Sequence, residues 1–367
     1  MGIKQVEVYR VTLRNKEPFR ISAGTTSGTI NIVVKINTDY GVNGWGESSP
    51  SKRVTGETAD TVLKVLERIS PRLIGMCPLR IEQITDVMDS VVEKNPAAKA
   101  SIDMALYDIS GKTAHKPLFM LLGGYRTEVL TDLTLSIKSP REMAKDAASA
   151  VEKGFKALKI KLGVNPSEDI ERVREIREAV SCYVKLRVDA NQGWTTEQAI
   201  DVLNKIEKFD IQFAEQPVPS QNLKDLQKVR KNSPVPLMAD ESVHSPEDAL
   251  SLIKNEATDL INIKLMKSGG ILKARKIAEV AESAGIECMI GCMSESTLGI
   301  AAGAHLAAAV RNILHADLDS DLIMKDRLVT KGGPGLSGSM RTFSKVCGLG
   351  VEELDNALLG TPVKVYS

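Results

Sequence analysis

Eight short apolar runs recur beyond residue 130, and amphipathic helical stretches separate them. The runs fall at residues 132–137, 157–161, 184–189, 211–215, 236–240, 260–264, 287–290 and 313–317. Helical patterns occupy 140–153, 169–180, 196–209, 223–231, 246–255 and 271–285 between them. Such alternation makes parallel βαβ units, and eight strands suggest closure into a barrel. A doubly wound open sheet is the alternative. It usually wants a glycine-rich phosphate loop after an early strand, and none follows any of these runs.

Residues 1–122 have a different texture. Strand patterns lie over 4–13, 30–37 and 42–47, the last two joined by the turn Asp39-Tyr40-Gly41. Helical spacing follows over 58–69, 81–92 and 97–113, ending in the break Leu121-Leu122-Gly123-Gly124-Tyr125-Arg126. Residues 22–28, with Gly24 and Gly28 among Ser and Thr, read as a mobile loop, either a plain connection or a lid. The glycines of Gly332-Gly333-Pro334-Gly335 read as a turn returning the C-terminus to the N-terminal region, not as a phosphate loop.

Composition excludes several classes of function. Lys and Arg number 48 against 47 Asp and Glu, and aromatic residues make up 4%. A nucleic-acid binder usually carries a basic footprint and rings on which bases stack. The longest nearly apolar run, 298–310, is about half of the roughly 20 residues a membrane helix needs. The N-terminus has no hydrophobic signal region, and Val6 stands where a myristoylation motif wants Ser or Thr. Cys77, Cys182, Cys288, Cys292 and Cys347 form no Cys-x-x-Cys, as expected of reduced thiols in a cytoplasmic protein. The four histidines, His115, His244, His305 and His315, are isolated from any Cys or His cluster, which argues against a transition-metal site.

The ends of the apolar runs carry the chemistry. The second to sixth end in Lys161, Asp189, Glu215, Asp240 and Lys264, separated by 28, 26, 25 and 24 residues, each about one βα unit. In a barrel these five gather at the carboxyl ends of adjacent strands, where barrel enzymes keep their active sites. A single acid here reads as a turn cap; three in register on consecutive units do not. Three adjacent carboxylates raise one another's pKa, and a divalent cation resolves the repulsion. Oxygen ligands without His or Cys favour Mg²⁺. Lys159 and Lys161 share a strand face by alternation, and strands two and six stand on opposite sides of an eight-stranded barrel, so Lys264 faces Lys161 across the metal. An apolar site and a nearby cation draw a lysine from about 10.4 towards roughly 7–8, where it serves as a base. Two opposed bases and a Lewis acid suit removal of an α-proton from a carboxylate substrate, with return to the other face.

At these residues the chain resembles the enolase superfamily, in its muconate-lactonising-enzyme subgroup. The motifs are Lys159-x-Lys161, Asp189-Ala190-Asn191-Gln192-Gly193-Trp194, Glu215-Gln216-Pro217, Asp240-Glu241-Ser242 and Lys264-Leu265-Met266-Lys267-Ser268-Gly269-Gly270. The resemblance covers essentially the whole chain. It implies an α/β fold: a modified TIM barrel, (β/α)7β, over 123–339 under an α+β capping domain over 1–122, with a C-terminal return from about 340–367. It implies one Mg²⁺ per subunit on Asp189, Glu215 and Asp240, and Lys161 and Lys264 as the acid/base pair. The eighth run ends His315-Ala316-Asp317-Leu318-Asp319. Dipeptide epimerases of this subgroup carry an Asp-x-Asp here that grips a substrate ammonium, and Asp317 and Asp319 match it and face the same way by period two. A buried ammonium needs carboxylate partners, whereas an Asp pair capping loop backbone is the plainer reading.

The resemblance therefore implies a small-molecule dipeptide substrate, with no nucleic-acid or membrane partner. Related enzymes are often homo-oligomers. Relatives acting on L-Ala-D/L-Glu place basic residues where this chain has Gly24 and Thr297. Arg20, Lys52 and Arg53 are the remaining candidate cations, while Phe19, Ile21, Val54, Met293 and Leu298 favour an apolar second side chain. Lys159, Ser294 and Glu295 complete the expected substrate surroundings, Glu295 as a supporting acid and not a metal ligand. Three enzyme alternatives lack the ammonium: an o-succinylbenzoate synthase, an N-acylamino-acid racemase and a muconate-type cycloisomerase. A metal-dependent binding protein without turnover is the alternative outside catalysis.

Overall fold

The computed structural model describes residues 1–367. Strands Ile3–Ile21, Gly24–Thr38 and Asn43–Ser48 form an antiparallel sheet, and Lys364–Tyr366 pairs with the first of them, Val6 opposite Tyr366. Period-two alternation splits the sheet's two faces. Val6, Val8, Ile32, Val34 and Ile36 pack against the outer helices Ala59–Leu73 and Ile81–Val91, whereas Tyr9, Val11, Leu13 and Val33 join the barrel's core. Helix Pro96–Thr113 lies between the layers, in backbone contact with the sheet. A Cβ at Gly46 would stand 1.9 Å from the Ser101 carbonyl oxygen, so only glycine permits that approach.

Residues 22–28 do not form an open loop. Both flanking strands run on into a hairpin that pairs Phe19 with Thr26, Arg20 with Thr25 and Ile21 with Gly24. The β-branched Thr25 and Thr26 favour strand, and the turn residue Ser22 donates to the Ala190 carbonyl at 2.9 Å, docking the tip on the barrel.

Eight parallel strands make the barrel: Leu133–Leu135, Ala157–Lys161, Lys185–Asp189, Ile211–Glu215, Leu237–Ala239, Leu260–Lys264, Glu287–Gly291 and Ile313–Asp317. They neighbour one another in chain order, and the parallel bridge Thr131–Ala316 links the first edge to the last. Seven long helices follow the first seven strands. Several start on side-chain caps legible in the sequence, such as Ser139 with Glu142 and Thr195 with Gln198. The apolar run near residue 300 is the seventh helix, Thr297–Ala309, buried on all sides between barrel and cap. No helix is long and apolar enough to cross a membrane.

Cap and barrel are fastened by buried acids. Asp103 of helix Pro96–Thr113 accepts from Ile271 N at 2.5 Å, the first residue of helix Ile271–Ser283. Glu47 accepts from Ser296 N at 3.0 Å and Gly299 N at 2.8 Å, completing the N-terminus of the seventh helix.

Candidate active site

The barrel interior is built in layers two residues apart. Phe213, Met238 and Met289 form an apolar floor with Leu260. In the same layer Arg187 binds Asp132 at 2.7 Å and lies over the Phe213 ring at 5.1 Å. The next layer up holds Lys161, Asp189, Glu215 and Lys264, with Asp240 just past the end of its strand. Asp189 and Glu215 are 0% exposed and Asp240 1%, a burial that carboxylates tolerate only when charge-matched.

Four lysines supply that match. The Lys159 ammonium lies 2.7 Å from Glu215 Oε2, 2.7 Å from Asp317 Oδ2 and 3.1 Å from Asp189 Oδ2. Burial alone would strip its proton, but these acids outweigh that and hold it charged. Lys161 Nζ is 2.7 Å from Asp189 Oδ2 and 3.1 Å from Asn191 Oδ1. Lys264 Nζ is 2.6 Å from Asp240 Oδ2, and Lys267 holds the other oxygen of that carboxylate at 2.5 Å. For Lys264, burial lowers the pKa, yet Asp240 and Glu215 leave it raised. Glu215 is the least satisfied acid, pushed up to about 8 by burial and then by the charge of Asp189. Its Oε2 is near Lys159 but has no well-angled hydrogen bond, and Glu241 Oε2 beside the site has no partner at all. Three buried carboxylates on neighbouring strands, with unfilled acceptor capacity and no His or Cys among them, fit a hard divalent cation.

Beside this cluster stands the pair Asp317 and Asp319. They do not share one strand face, because the eighth strand stops at Asp317 and Asp319 sits in the following turn. The first strand draws them together instead. Thr134 N donates to Asp319 Oδ2 at 2.6 Å and Thr134 Oγ1 to Asp317 Oδ1 at 3.2 Å. Burial favours the neutral form of Asp317, but Lys159 and Lys161 prevail and hold it well below the carboxylate range. Asp319 goes the other way, to about 7, through burial and then the charge of Asp317. The two carboxylates have one cation between them, Lys159 on Asp317, and none on Asp319. Cys292 lies close by, but two hard oxygens already serving Lys159 and Thr134, with one thiol, make a poor metal site.

Above both clusters lies a cavity of about 500 Å³ between barrel and cap. Lys161, Lys264, Asp240, Asp317 and Asp319 line its base. Phe19, Ile21, Gly24, Val54, Met293 and Ser294 line its walls, together with Lys52 and Arg53. Five residues depart from expectation. Lys159 is 1% exposed and lies beneath the cavity, its stem consumed in reaching three acids. Glu295 is turned away, accepting from Met293 N at 2.9 Å. Thr297 faces Asp321 at 3.1 Å, and Leu298 is wholly buried. Arg20 does not reach the cavity, although its backbone N–H is held by Ser136 Oγ. A wider depression of about 810 Å³ near Lys224 and Arg230 lies at the far end of the barrel with one apolar residue in its wall, and is a solvated surface groove.

Sequence reasoning missed several supports. Asn262 donates to Glu215 Oε1 at 2.9 Å and Asn191 to Glu241 Oε1 at 3.3 Å. Asn31 and Ser49 of the cap both donate to the Ser294 carbonyl, each at 2.8 Å. Lys267 and Asn191 lay inside recognised motifs; Asn262 was findable by counting two residues back from Lys264. Thr134, Asn31 and Ser49 carry no local signal.

A barrel under an α+β cap, with acids on the third to fifth strands and lysines on the second and sixth, is the architecture of the enolase superfamily. Residues 142–357 match the family described as enolase C-terminal domain-like, and residues 4–123 match the mandelate racemase / muconate lactonizing enzyme N-terminal domain. The chain belongs to this family. It is 45% identical over 352 residues to the hydrophobic dipeptide epimerase of Enterococcus faecalis, covering 96% of this chain and 99% of that one. It is 42% identical over 360 residues to the L-Ala-D/L-Glu epimerase of Clostridium acetobutylicum, covering 97% and 100%. The crystal structure of the E. faecalis dipeptide epimerase with Mg and L-Leu-L-Tyr superposes with a TM-score of 0.94 over 96% of this chain and 100% of that one, at 45% identity. The protein is an isomerase of the racemase and epimerase type.

Proposed function

We propose that this protein is a magnesium-dependent dipeptide epimerase that inverts the α-carbon of the substrate's C-terminal residue. One observation carries the reading: a buried, charge-deficient acid pair, Asp317 and Asp319, opens into the same cavity as Lys161 and Lys264. A free ammonium is the group such a pair accepts. An acylated amino acid or a cycloisomerase substrate would bring no charge there and leave the pair unmatched.

Asp189, Glu215 and Asp240 would hold the Mg²⁺, which when bound supplies a Lewis acid beside the substrate carboxylate. Asp317 and Asp319 seat the substrate's N-terminal ammonium. Lys161 and Lys264, on opposite sides of the barrel, flank the α-carbon; one takes the α-proton as the neutral amine, and the other returns a proton to the opposite face as the ammonium. Lys159 beneath them stays charged and keeps the acids from repelling one another. The cap, residues 1–122 with the return from about 340, closes over the second side chain.

The experiment is incubation of an L-Ala-L-Xaa library in D₂O with Mg²⁺, followed by mass spectrometry. The expected result is a gain of one dalton, and diastereomer formation, in a subset of dipeptides. Exchange in N-acylamino acids alone would establish the acylamino-acid reading, and magnesium binding without any exchange would favour the binding protein.

A further inference from the structure

The cavity has an apolar wall and a cationic mouth, and the two ask for different side chains. Phe19, Ile21 and Val54 would shelter a hydrocarbon chain. Arg53, from the loop after the third cap strand, also lines the cavity. Its guanidinium is laid on Gly24 across the mouth: a Cβ built on Gly24 would stand 2.6 Å from Nη2, 3.1 Å from Nη1 and 3.2 Å from Cζ. Gly24 has φ +135°, a conformation that L side chains rarely adopt. The missing side chain at 24 and the cation at 53 are thus one arrangement, in which the hairpin tip makes room for a charge brought by another loop.

No carboxylate of the cavity lies within ion-pair distance of Arg53; those that have cations have them from lysines. Asp240 is held by Lys264 and Lys267, Asp317 by Lys159, Asp319 by Thr134 and one oxygen of Glu241 by Asn191. An apolar side chain packed under this guanidinium would take water from it and offer no acceptor, an unfavourable burial. A carboxylate would receive its planar fork in two parallel hydrogen bonds.

Resting on the epimerase reading above, we infer that Arg53 is the specificity residue and that the substrate's second residue is acidic, its methylenes against Phe19, Ile21 and Val54 and its carboxylate on the Arg53 guanidinium. This differs from the expectation of an apolar second residue drawn from the wall alone, and the two are separated by the experiment below.

L-Ala-L-Glu and L-Ala-L-Gln differ by the charge and little in shape, so the ratio of their kcat/KM for α-proton exchange in D₂O isolates the contact. The expected ratio is about 10- to 100-fold in favour of Glu, the range of a charge-assisted hydrogen bond. Arg53→Met should collapse it, chiefly through KM, Arg53→Lys should retain part of it, and Arg53→Glu should favour L-Ala-L-Lys. Because Arg53 is exposed, its replacement should not disturb folding, and the Glu preference should shrink at high ionic strength. A ratio near one, a ratio that Arg53→Met leaves unchanged, or a preference for L-Ala-L-Leu or L-Ala-L-Tyr would overturn the assignment while leaving the epimerase reading standing. Absence of exchange in every dipeptide would overturn both.

Discussion

The floor of the site and its rim handle charge in opposite ways. On the floor, Lys159 meets three carboxylates and Asp240 meets two lysines, all within 3.1 Å and out of water. At the rim, Lys52 and Arg53 are exposed, on a loop, with no carboxylate in ion-pair distance. Strand ends locked in a closed ladder can hold opposed charges rigidly enough to offset desolvation. A loop cannot, so its charges stay in water and are free for a ligand. Chemistry common to many substrates belongs on the first, and the choice of substrate on the second.

The largest test of this division removes a base from the floor. Lys161→Ala or Lys264→Ala should lower epimerisation by at least about 10²- to 10⁴-fold, the usual share of general acid–base catalysis. Each variant should still exchange the α-proton of one diastereomer, the one whose proton faces the remaining lysine. Equal exchange of both diastereomers in either variant, followed by NMR in D₂O, would break the two-base scheme.

Asp319→Asn comes next. Removing one partner of a buried charge contact costs about 2–5 kcal/mol, so kcat/KM for a free dipeptide should drop at least about 30-fold, mostly in KM. Asp319 suits this test better than Asp317, since its change leaves the partner of Lys159 in place. Unchanged steady-state kinetics in this variant would restore the readings without an ammonium.

Lys159→Met asks whether the buried lysine substitutes for positive charge on the floor. Glu215 and Asp317 would then lose their only cation, while Asp189 keeps Lys161, and breaking a buried pair costs about 3–5 kcal/mol. The metal-free variant should melt below the wild type, and saturating Mg²⁺ should raise its Tm more than the wild type's. Chelation should lower the Tm of both, by the linkage that gives about 2.7 kcal/mol at one hundred times Kd. Equal magnesium shifts, read by calorimetry, would mean that Lys159 does not balance these acids.

The smallest effect lies in the scaffold, which excludes charge instead of balancing it. His305, in the buried seventh helix, accepts from Phe119 N at 3.1 Å, and burial lowers its pKa to about 4. Between about 6.5 and 4 the unfolded chain takes a proton that the folded chain refuses, so stability falls as pH falls through this window. From pH 7 to 5 the wild type should lose about 2 kcal/mol through this residue. His305→Gln keeps an acceptor and should flatten that slope in urea titrations at the two pH values; an equal slope in both proteins would remove His305 from the account.

Much of the floor could be read along the chain. Strand identity rested on short apolar runs, and the five ionisable ends followed from spacing of one βα unit. Period-two alternation turned Lys159 and Lys161 to the same side. The same rule gave the right neighbours but the wrong reason at Asp317 and Asp319, which the first strand joins through Thr134. The segment at 22–28 was misread because its glycines outweighed its β-branched threonines in a local count, whereas pairing across fourteen residues, Arg14 with Gly28, decided for strand. Glu295 and Thr297 were placed in the pocket by position along the chain, and their side chains turn to Met293 N and Asp321 instead.

Sequence alone determined the barrel, six of its seven long helices and the last residue of the second, third, fourth, sixth and eighth strands, because these depend on periodicity and spacing over one supersecondary unit at a time. Only the tertiary structure decided that Lys159 lies beneath the cavity, that Glu47 of the cap completes the seventh helix, and that the Arg53 guanidinium lies on Gly24. Those are contacts between segments that no local pattern links. They arise when barrel closure and cap docking bring distant side chains into a space too small for all their charges to keep water.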